Sequence, residues 1–405
     1  MKCRLIMRCG VLLVAGTLTA PLLADTSQQQ DQEVLDWSFD FRARAANISQ
    51  DNALQDADPL TARLRAGITW TSHADWQVLA DIDAVADLAG DYNSTTNGKT
   101  TFSIEADPDT VELNRAQVAF TGISDTVVTV GRQRMRYDNM RFIGNTPWRQ
   151  NEQTFDAARI DWSGIDKSTL SVAWLDKQHR PVGDDNPGGN VQLSAPLFNW
   201  RYEALPNTKL LAYGYFIGFD DQPTRSQRTL GFKIERRSTV RKVVLTYSFE
   251  RAVQDPYRDG LSTNEGNYRK LLLAAKWRGV TATLAQEVLS GDGIYGFSTP
   301  LSSLHGPNGW ADVFLPATPL NGLDDRFFSV GGKVAGFNLL GRYHDFRADN
   351  GSADYGSEID LLVSRKFGGA LKDKLTATLK FARYDAKEFG VDTTKVWLFA
   401  DYRWR

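Results

Sequence analysis

From residue 37 onward the chain alternates. In Trp37-Ser38-Phe39-Asp40-Phe41-Arg42-Ala43-Arg44-Ala45 one parity is wholly apolar and the other is polar or charged. A β-strand points successive side chains to opposite faces, so this segment predicts a strand with one greasy and one ionic face. The pattern recurs. Ala62, Leu64, Ala66, Ile68 and Trp70 alternate with Arg63, Arg65, Gly67 and Thr69. Trp76, Val78, Ala80, Ile82 and Ala84 alternate with Gln77, Leu79, Asp81 and Asp83. Ala158, Ile160 and Trp162 alternate with Arg159 and Asp161, and Val396, Leu398, Ala400, Tyr402 and Trp404 with residues that include Asp401 and Arg403.

Read along the whole chain, the alternation predicts strands near 37–47, 61–71, 76–86, 111–120, 126–134, 155–162, 168–175, 196–203 and 209–219. The second half adds 227–236, 241–253, 267–277, 281–290, 326–334, 338–346, 357–366, 375–384 and 394–404. That is roughly eighteen, an even number within the range of bacterial membrane barrels. Gaps at 72–75, 121–125, 163–167, 204–208, 237–240, 278–280, 335–337 and 367–374 are short. Those at 48–60, 87–110, 135–154, 176–195, 254–266 and 291–325 are mostly long. Every second connection is therefore short, which in a meander puts all the long ones on one side. A soluble sandwich alternates too, but short periplasmic turns, long extracellular loops and aromatic residues near strand ends belong to a transmembrane barrel. The predicted fold class is all-β: a single antiparallel transmembrane barrel over residues 37–405, with both termini in the periplasm.

The first residues agree with export. Lys2, Arg4 and Arg8 precede an uncharged apolar run from Gly10 to Leu23, and Asp25 starts a polar stretch. This reads as a secretory signal over 1–24, cleaved after Ala24 or alternatively after Ala20, followed by a periplasmic extension over 25–36. The apolar run falls short of the ~20 residues that span a bilayer as a helix. Both cysteines, Cys3 and Cys9, lie within the leader, so no disulfide or thiolate site is expected in the mature protein. The net charge of −2 becomes −5 once the leader's three basic residues are gone, which speaks against a nucleic-acid partner. Mean hydropathy is −0.37, as suits a barrel in which only every second strand residue is apolar.

Arginines fall on the inward parity: Arg42, Arg44, Arg63, Arg65, Arg115 and Arg159. Arg342 shares a face with Asn338 and His344, and Arg132 and Arg134 close one strand. A lipid-facing arginine at mid-bilayer would cost ~2–4 kcal/mol. Most of these strands neighbour one another in a meander, so their arginines would form a basic wall favouring anions, with guanidinium forks suited to carboxylates. Asp40, Asp81, Asp83 and Asp161 are interleaved as counter-charges. Each arginine could also pair across strands and stabilise the wall, a reading compatible with a role in the path. Roughly eighteen strands leave a lumen too wide for side chains to fill, so an aqueous path is expected unless loops plug it. The 291–325 segment carries Pro300, Pro307, Pro316 and Pro319 with Trp310, Phe314 and Leu315. It could fold inward or stand as an exposed loop.

One stretch is distinctive. Gly131-Arg132-Gln133-Arg134 is followed by Asp138-Asn139-Met140-Arg141-Phe142-Ile143-Gly144. Then comes Trp148-Arg149-Gln150-Asn151-Glu152-Gln153-Thr154-Phe155-Asp156-Ala157. The chain resembles the alginate export porins of the bacterial outer membrane. That resemblance implies an eighteen-stranded barrel with an arginine-rich constriction passing polyuronate. By position, Arg132, Arg134, Arg149 and Arg159 match the basic path, with Arg115 just upstream. The short turns depart from a family pattern with plugging loops, so uptake of oligouronates or small anions stands beside polymer export. Expected partners are outer-membrane lipid and lipopolysaccharide, the uronate substrate, and periplasmic secretion components. No cofactor is expected. Gly291, Gly293 and Gly296 match dinucleotide-loop spacing without a βαβ unit around them, and His73, His179, His305 and His344 lack metal-site spacing. The rival functions are a less selective porin for small anions or sugars, and an outer-membrane hydrolase built on His344, the only histidine read as clearly on a strand.

Overall fold

The computed structural model describes residues 33–72, 74–303, 305–371 and 374–404. The leader read at 1–24, the extension as far as Gln32, His73 and Arg405 lie outside them. Eighteen strands run in chain order. They are β1 (Val34–Gln50), β2 (Leu60–Thr71), β3 (Trp76–Ala89), β4 (Thr110–Ile123), β5 (Thr126–Gln133), β6 (Thr154–Trp162), β7 (Ser168–His179), β8 (Asn190–Tyr202) and β9 (Thr208–Phe219). The second half comprises β10 (Gln227–Val240), β11 (Val243–Pro256), β12 (Gly266–Trp277), β13 (Val280–Leu289), β14 (Leu323–Val334), β15 (Phe337–Arg347), β16 (Asp354–Phe367), β17 (Leu375–Ala386) and β18 (Thr393–Trp404). Each pairs antiparallel with its chain neighbours, and β1 closes on β18 from Phe39↔Trp404 to Gln50↔Thr393. Closure leaves no strand edge unpaired, which hydrocarbon demands.

On most strands the predicted parity is the observed one. On β1, Trp37, Phe39 and Phe41 are exposed outward while Arg42 and Arg44 are buried inside. Trp37, Trp76, Trp162, Trp277 and Trp404 lie exposed at the turn end of their strands, an interfacial girdle. Several strands run past their expected ends: the stretch read as a turn at 237–240 belongs to β10, and the largest shift lies between β7 and β8. Half of the segment read as a loop at 176–195 is strand, because β7 runs on to His179 and β8 begins at Asn190. Here the hairpin continues past the apolar band, where water-facing residues no longer alternate visibly. His179 therefore also lies on a strand, contrary to the reading of His344 as the only such histidine.

Within the sheet, β-bulges adjust which face a residue meets. The register shifts between Asp81 and Ile82 against β4, so that Asn114 and Arg115 both turn inward while Leu113 and Val118 stay outside. Gly131 has φ 113°, and a Cβ there would strike the Ala116 carbonyl. The glycine of the Gly-Arg-Gln element is thus set by backbone contact between β4 and β5.

Leu398 sits exposed in the middle of β18. Leu398→Arg should destabilise the folded barrel by about 2–4 kcal/mol, measured by urea titration in lipid vesicles. A loss below about 1 kcal/mol would place this position outside the hydrocarbon.

Candidate functional site

Three of the long connections turn into the lumen. In the β5–β6 loop (134–153), Met135, Tyr137, Phe142 and Ile143 are buried. Phe142 meets Tyr213 and Tyr268 of the far wall at ring-centroid distances of 5.1 and 5.2 Å. Ion pairs Asp138–Lys233 (2.7 Å) and Arg141–Glu287 (3.2 Å) tie the same loop to β10 and β13. It therefore crosses the barrel.

The β13–β14 loop (290–322) folds in against it. Of the two readings left open by sequence, the structure takes the inward one: Phe297, Leu301, Trp310 and Phe314 are buried. Gly144 N–H donates to the Leu301 carbonyl at 2.9 Å, and Ser303 N–H to that of Met140 at 3.0 Å. Gln153 Nε2 also donates to Leu301 O at 3.0 Å. The carboxylate of Glu358 on β16 accepts the N–H groups of Trp310 and Ala311. Lys380 of β17 lies over the rings of Trp310 (3.8 Å) and Trp148 (4.1 Å), so one buried ammonium bridges both loops. The β3–β4 loop (90–109) contributes Glu105 and Asp107, which hold Arg44. Much of the wide lumen is filled by loops.

On the turn side of these loops remains a cavity of about 190 Å³. Seven arginines line it: Arg42, Arg63, Arg65, Arg115, Arg134, Arg136 and Arg403. Asp40, Asp81 and Glu152 are the carboxylates in its wall. Arg42 Nε donates to Asp401 at 2.7 Å. Asp40 accepts from Arg63, and from Arg403 at 2.9 Å. Arg65 grips Asp83 through two hydrogen bonds of 2.5 Å and reaches Glu152 at 3.0 Å. Arg115 Nε donates to Asp81 at 2.9 Å, and Arg134 Nε to Glu152 at 2.8 Å. Burial opposes ionisation of Glu152, but Arg65 and Arg134 overcome it and hold its carboxyl well below the ordinary range. Arg136 Nε donates only to the Asn145 side-chain oxygen, at 2.6 Å. Among the described residues Arg136 has no carboxylate within ion-pair distance. The network thus sets five carboxylates against seven guanidiniums, and the cavity is left positive.

Five of the ten predicted path arginines meet here: Arg42, Arg63, Arg65, Arg115 and Arg134. The others do not. Arg44 is sealed behind the cavity beneath Trp148, 2% exposed. Arg149 pairs with Glu105 (3.0 Å) and Asp312 (3.5 Å) inside the loop layer. Arg159 pairs with the predicted counter-charge Asp161 at 2.9 Å, away from the cavity. Arg342 lies on β15 over the Phe327 ring. Arg132 falls on the outward parity of Val130, opposite to buried Thr129 and Gln133, and pairs with Asp156 at 2.9 Å. Of the acids, Asp40 and Asp81 line the cavity and Asp83 backs it.

Arg136, Arg403 and Glu152 were missed as site residues. The first continues the alternation Arg132, Arg134, Arg136. The second shares the inward parity of Asp401. The third sits in the quoted Trp-Arg-Gln-Asn-Glu-Gln element. Each signal was present in the sequence. His344, the one histidine offered for a hydrolase, is fully buried and bonded to Asp325 at 2.7 Å, out of a substrate's reach.

A family model described as alginate export matches residues 35–243. No curated protein sequence matches the chain. Among solved structures, it is similar to OccAB4 of Acinetobacter baumannii, with a TM-score of 0.74 and 16% identity over 93% of this chain and 99% of that one. OccK3 (OpdO) of Pseudomonas aeruginosa gives a TM-score of 0.70 and 14% identity over 91% and 95%. OpdK of the same organism, solved with vanillate, gives 0.71 and 15% over 91% and 98%. At these identities the likeness establishes the fold.

His305 joins the two inward loops, stacking on Trp148 at 4.3 Å, bonded through Nδ1 to Asp312 at 2.9 Å and touching Lys380 through Nε2. Arg149 reaches Asp312 from the other loop. Burial pushes the imidazole down, Asp312 pulls it up and Lys380 pushes it down again, leaving it at about 4. Released from the layer it would titrate near its ordinary ~6.5. The released loop therefore binds the proton more readily, and the packed loop loses up to about 3 kcal/mol as pH falls from 6.5 to 4. Single-channel conductance should rise across that window, and His305→Phe should flatten the rise. A wild-type trace flat from pH 7 to 4 would show that His305 does not govern docking of the loop.

Proposed function

The chain belongs to the alginate export family and is an outer-membrane porin barrel, and we propose that it gives anion-selective passage to acidic saccharides of the polyuronate class. The observation that carries this reading is the cavity in which seven arginines outnumber their carboxylate partners. Guanidinium forks match carboxylates in pairs. A rigid wall of paired arginines can hold them in place while Arg136, free of a carboxylate, meets the solute. Neighbouring Asp40, Asp81 and Glu152 compete for each guanidinium and keep the hold transient, as conduction requires.

The size of the cavity bears on what passes. At about 190 Å³ it lies below the ~300–1,000 Å³ of pockets that enclose drug-sized ligands. A uronate chain would thread through one residue at a time, with the two packed loops displaced. The same volume favours a second reading, passage of small carboxylates; a neighbour of this fold was solved with vanillate. Periplasmic secretion components would serve the polymer route and be idle in the other. Family and fold are those of channels rather than enzymes.

The test is a planar bilayer holding the mature chain in a salt gradient. The reversal potential should report anion selectivity, and mannuronate or guluronate oligomers should produce brief blocks that neutral oligosaccharides do not. Arg136→Ala should shorten those blocks several-fold and lower selectivity without unfolding the barrel, since no ion pair is broken. Block by aromatic monocarboxylates but not by oligouronates would favour the second reading. A cation-selective pore blind to both would overturn the arginine pathway.

A further inference from the structure

The outward face of the β11–β17 half is not used by the pore. Its apolar band ends toward the loops in arginines: Arg251 on β11, Arg269 on β12, Arg326 on β14, Arg347 on β15 and Arg383 on β17 are all exposed. They share the parity of lipid-facing neighbours such as Phe249, Leu271 and Phe328. At the turn end the same face carries Trp277 with Arg278 over its ring, and Arg365 over the rings of Phe337 and Phe367. Arg326, Arg347 and Arg383 each pair with an aspartate on their own strand, at 2.7, 3.0 and 2.9 Å.

Arg251 and Arg269 differ. They are direct cross-strand partners, and among the described residues neither has a carboxylate within ion-pair distance. Asp349 interacts with Arg269 only from beyond that distance. Like charges directly opposed across an antiparallel pair repel, and both point out of the barrel at the margin of its hydrocarbon band. The next outward pair toward the membrane centre is Phe249↔Leu271. These two belong to an apolar groove of about 870 Å³, which continues over Leu273 and Leu284 and has Arg326 in its wall.

We propose that Arg251 and Arg269 clamp a phosphate of an outer-leaflet glycolipid, lipopolysaccharide in chemistry, with an acyl chain lying in the groove below. The loop end faces the exterior, so the pair meets the leaflet of phosphorylated sugar headgroups. Two adjacent guanidinium forks offer parallel N–H donors to phosphate oxygens, and an anion between them converts their repulsion into a bridge. Phe249 and Leu271 then continue the contact into the acyl region.

The full chain, folded in detergent and shown to be folded by its heat-dependent gel mobility, would be titrated with rough-type lipopolysaccharide while its unfolding temperature is followed. The midpoint should rise with this lipid. The apparent affinity should fall tenfold or more in R251Q/R269Q, fall less in R251K/R269K, and be unchanged in R201Q at the turn end. Phosphatase-treated lipopolysaccharide should bind wild type as weakly as the double variant binds the intact lipid. Equal binding by R251Q/R269Q, by the dephosphorylated lipid, or by phosphatidylglycerol at the same concentration would overturn the proposal. If the double variant does not fold, R251Q and R269Q singly carry the test, each expected to weaken binding several-fold.

Discussion

Backbone hydrogen bonding without water is the constraint from which the rest of this structure follows. In hydrocarbon every strand must find a partner on both sides, and the pairing of β1 with β18 satisfies the last of them. Once the sheet is closed, one parity of each strand is committed to lipid and the other to the interior. Arginines of β1 and β2 cannot face outward at mid-membrane, so closure drives Arg42, Arg44, Arg63 and Arg65 together on one wall. The electrostatics of the interior is a consequence of the closure of the backbone.

That interior is wider than its side chains. Eighteen strands enclose a lumen that wall residues alone do not fill, and the chain meets this with folded-in loops. Phe142 against Tyr213, Phe314 against Phe346 at 4.7 Å and the backbone bonds between Gly144 and Leu301 make the loops a packed layer with its own apolar core. The charged contacts at its edges, Glu358 to Trp310 and Ala311 or Lys380 beneath Trp148 and Trp310, fasten it to the wall. Buried groups of this kind are strongly held while their partners are in place and costly once a partner is lost. The same contacts that close the layer are thus the ones through which it can be released.

Pairing also sorts the arginines by role. Arg44, Arg65 and Arg115 spend their forks on Glu105, Asp83 and Asp81, fixing loop to wall or strand to strand. Inside the cavity, Arg136 donates to Asn145 and is left without a carboxylate partner among the described residues. On the outer surface Arg251 and Arg269 face each other without an acid between them. Both proposed contacts, with a solute inside and a phosphate outside, rest on unspent guanidinium capacity rather than on arginine content.

Strand number, the parity of most strands, the alternation of short and long connections and the inward arginines of β1 and β2 were legible in the sequence, because a two-residue period states which face each side chain takes and lipid tolerates only one answer. Trp37, Phe39 and Phe41 against Arg42 and Arg44 show this directly. Bulges were not legible: the turn of both Asn114 and Arg115 to the interior arises from register against the neighbouring strand, which no single strand encodes. Nor was the destination of the loops. Phe142, Trp148 and Trp310 are apolar residues in segments without periodicity, and only the far walls, Tyr213 and Tyr268 on one side and Lys380 on the other, decide where they pack. The sequence by itself determined the barrel and its basic interior, since these rest on local alternation. Which arginines are spent and which remain free was decided by tertiary structure, since it depends on carboxylates brought from distant strands and loops.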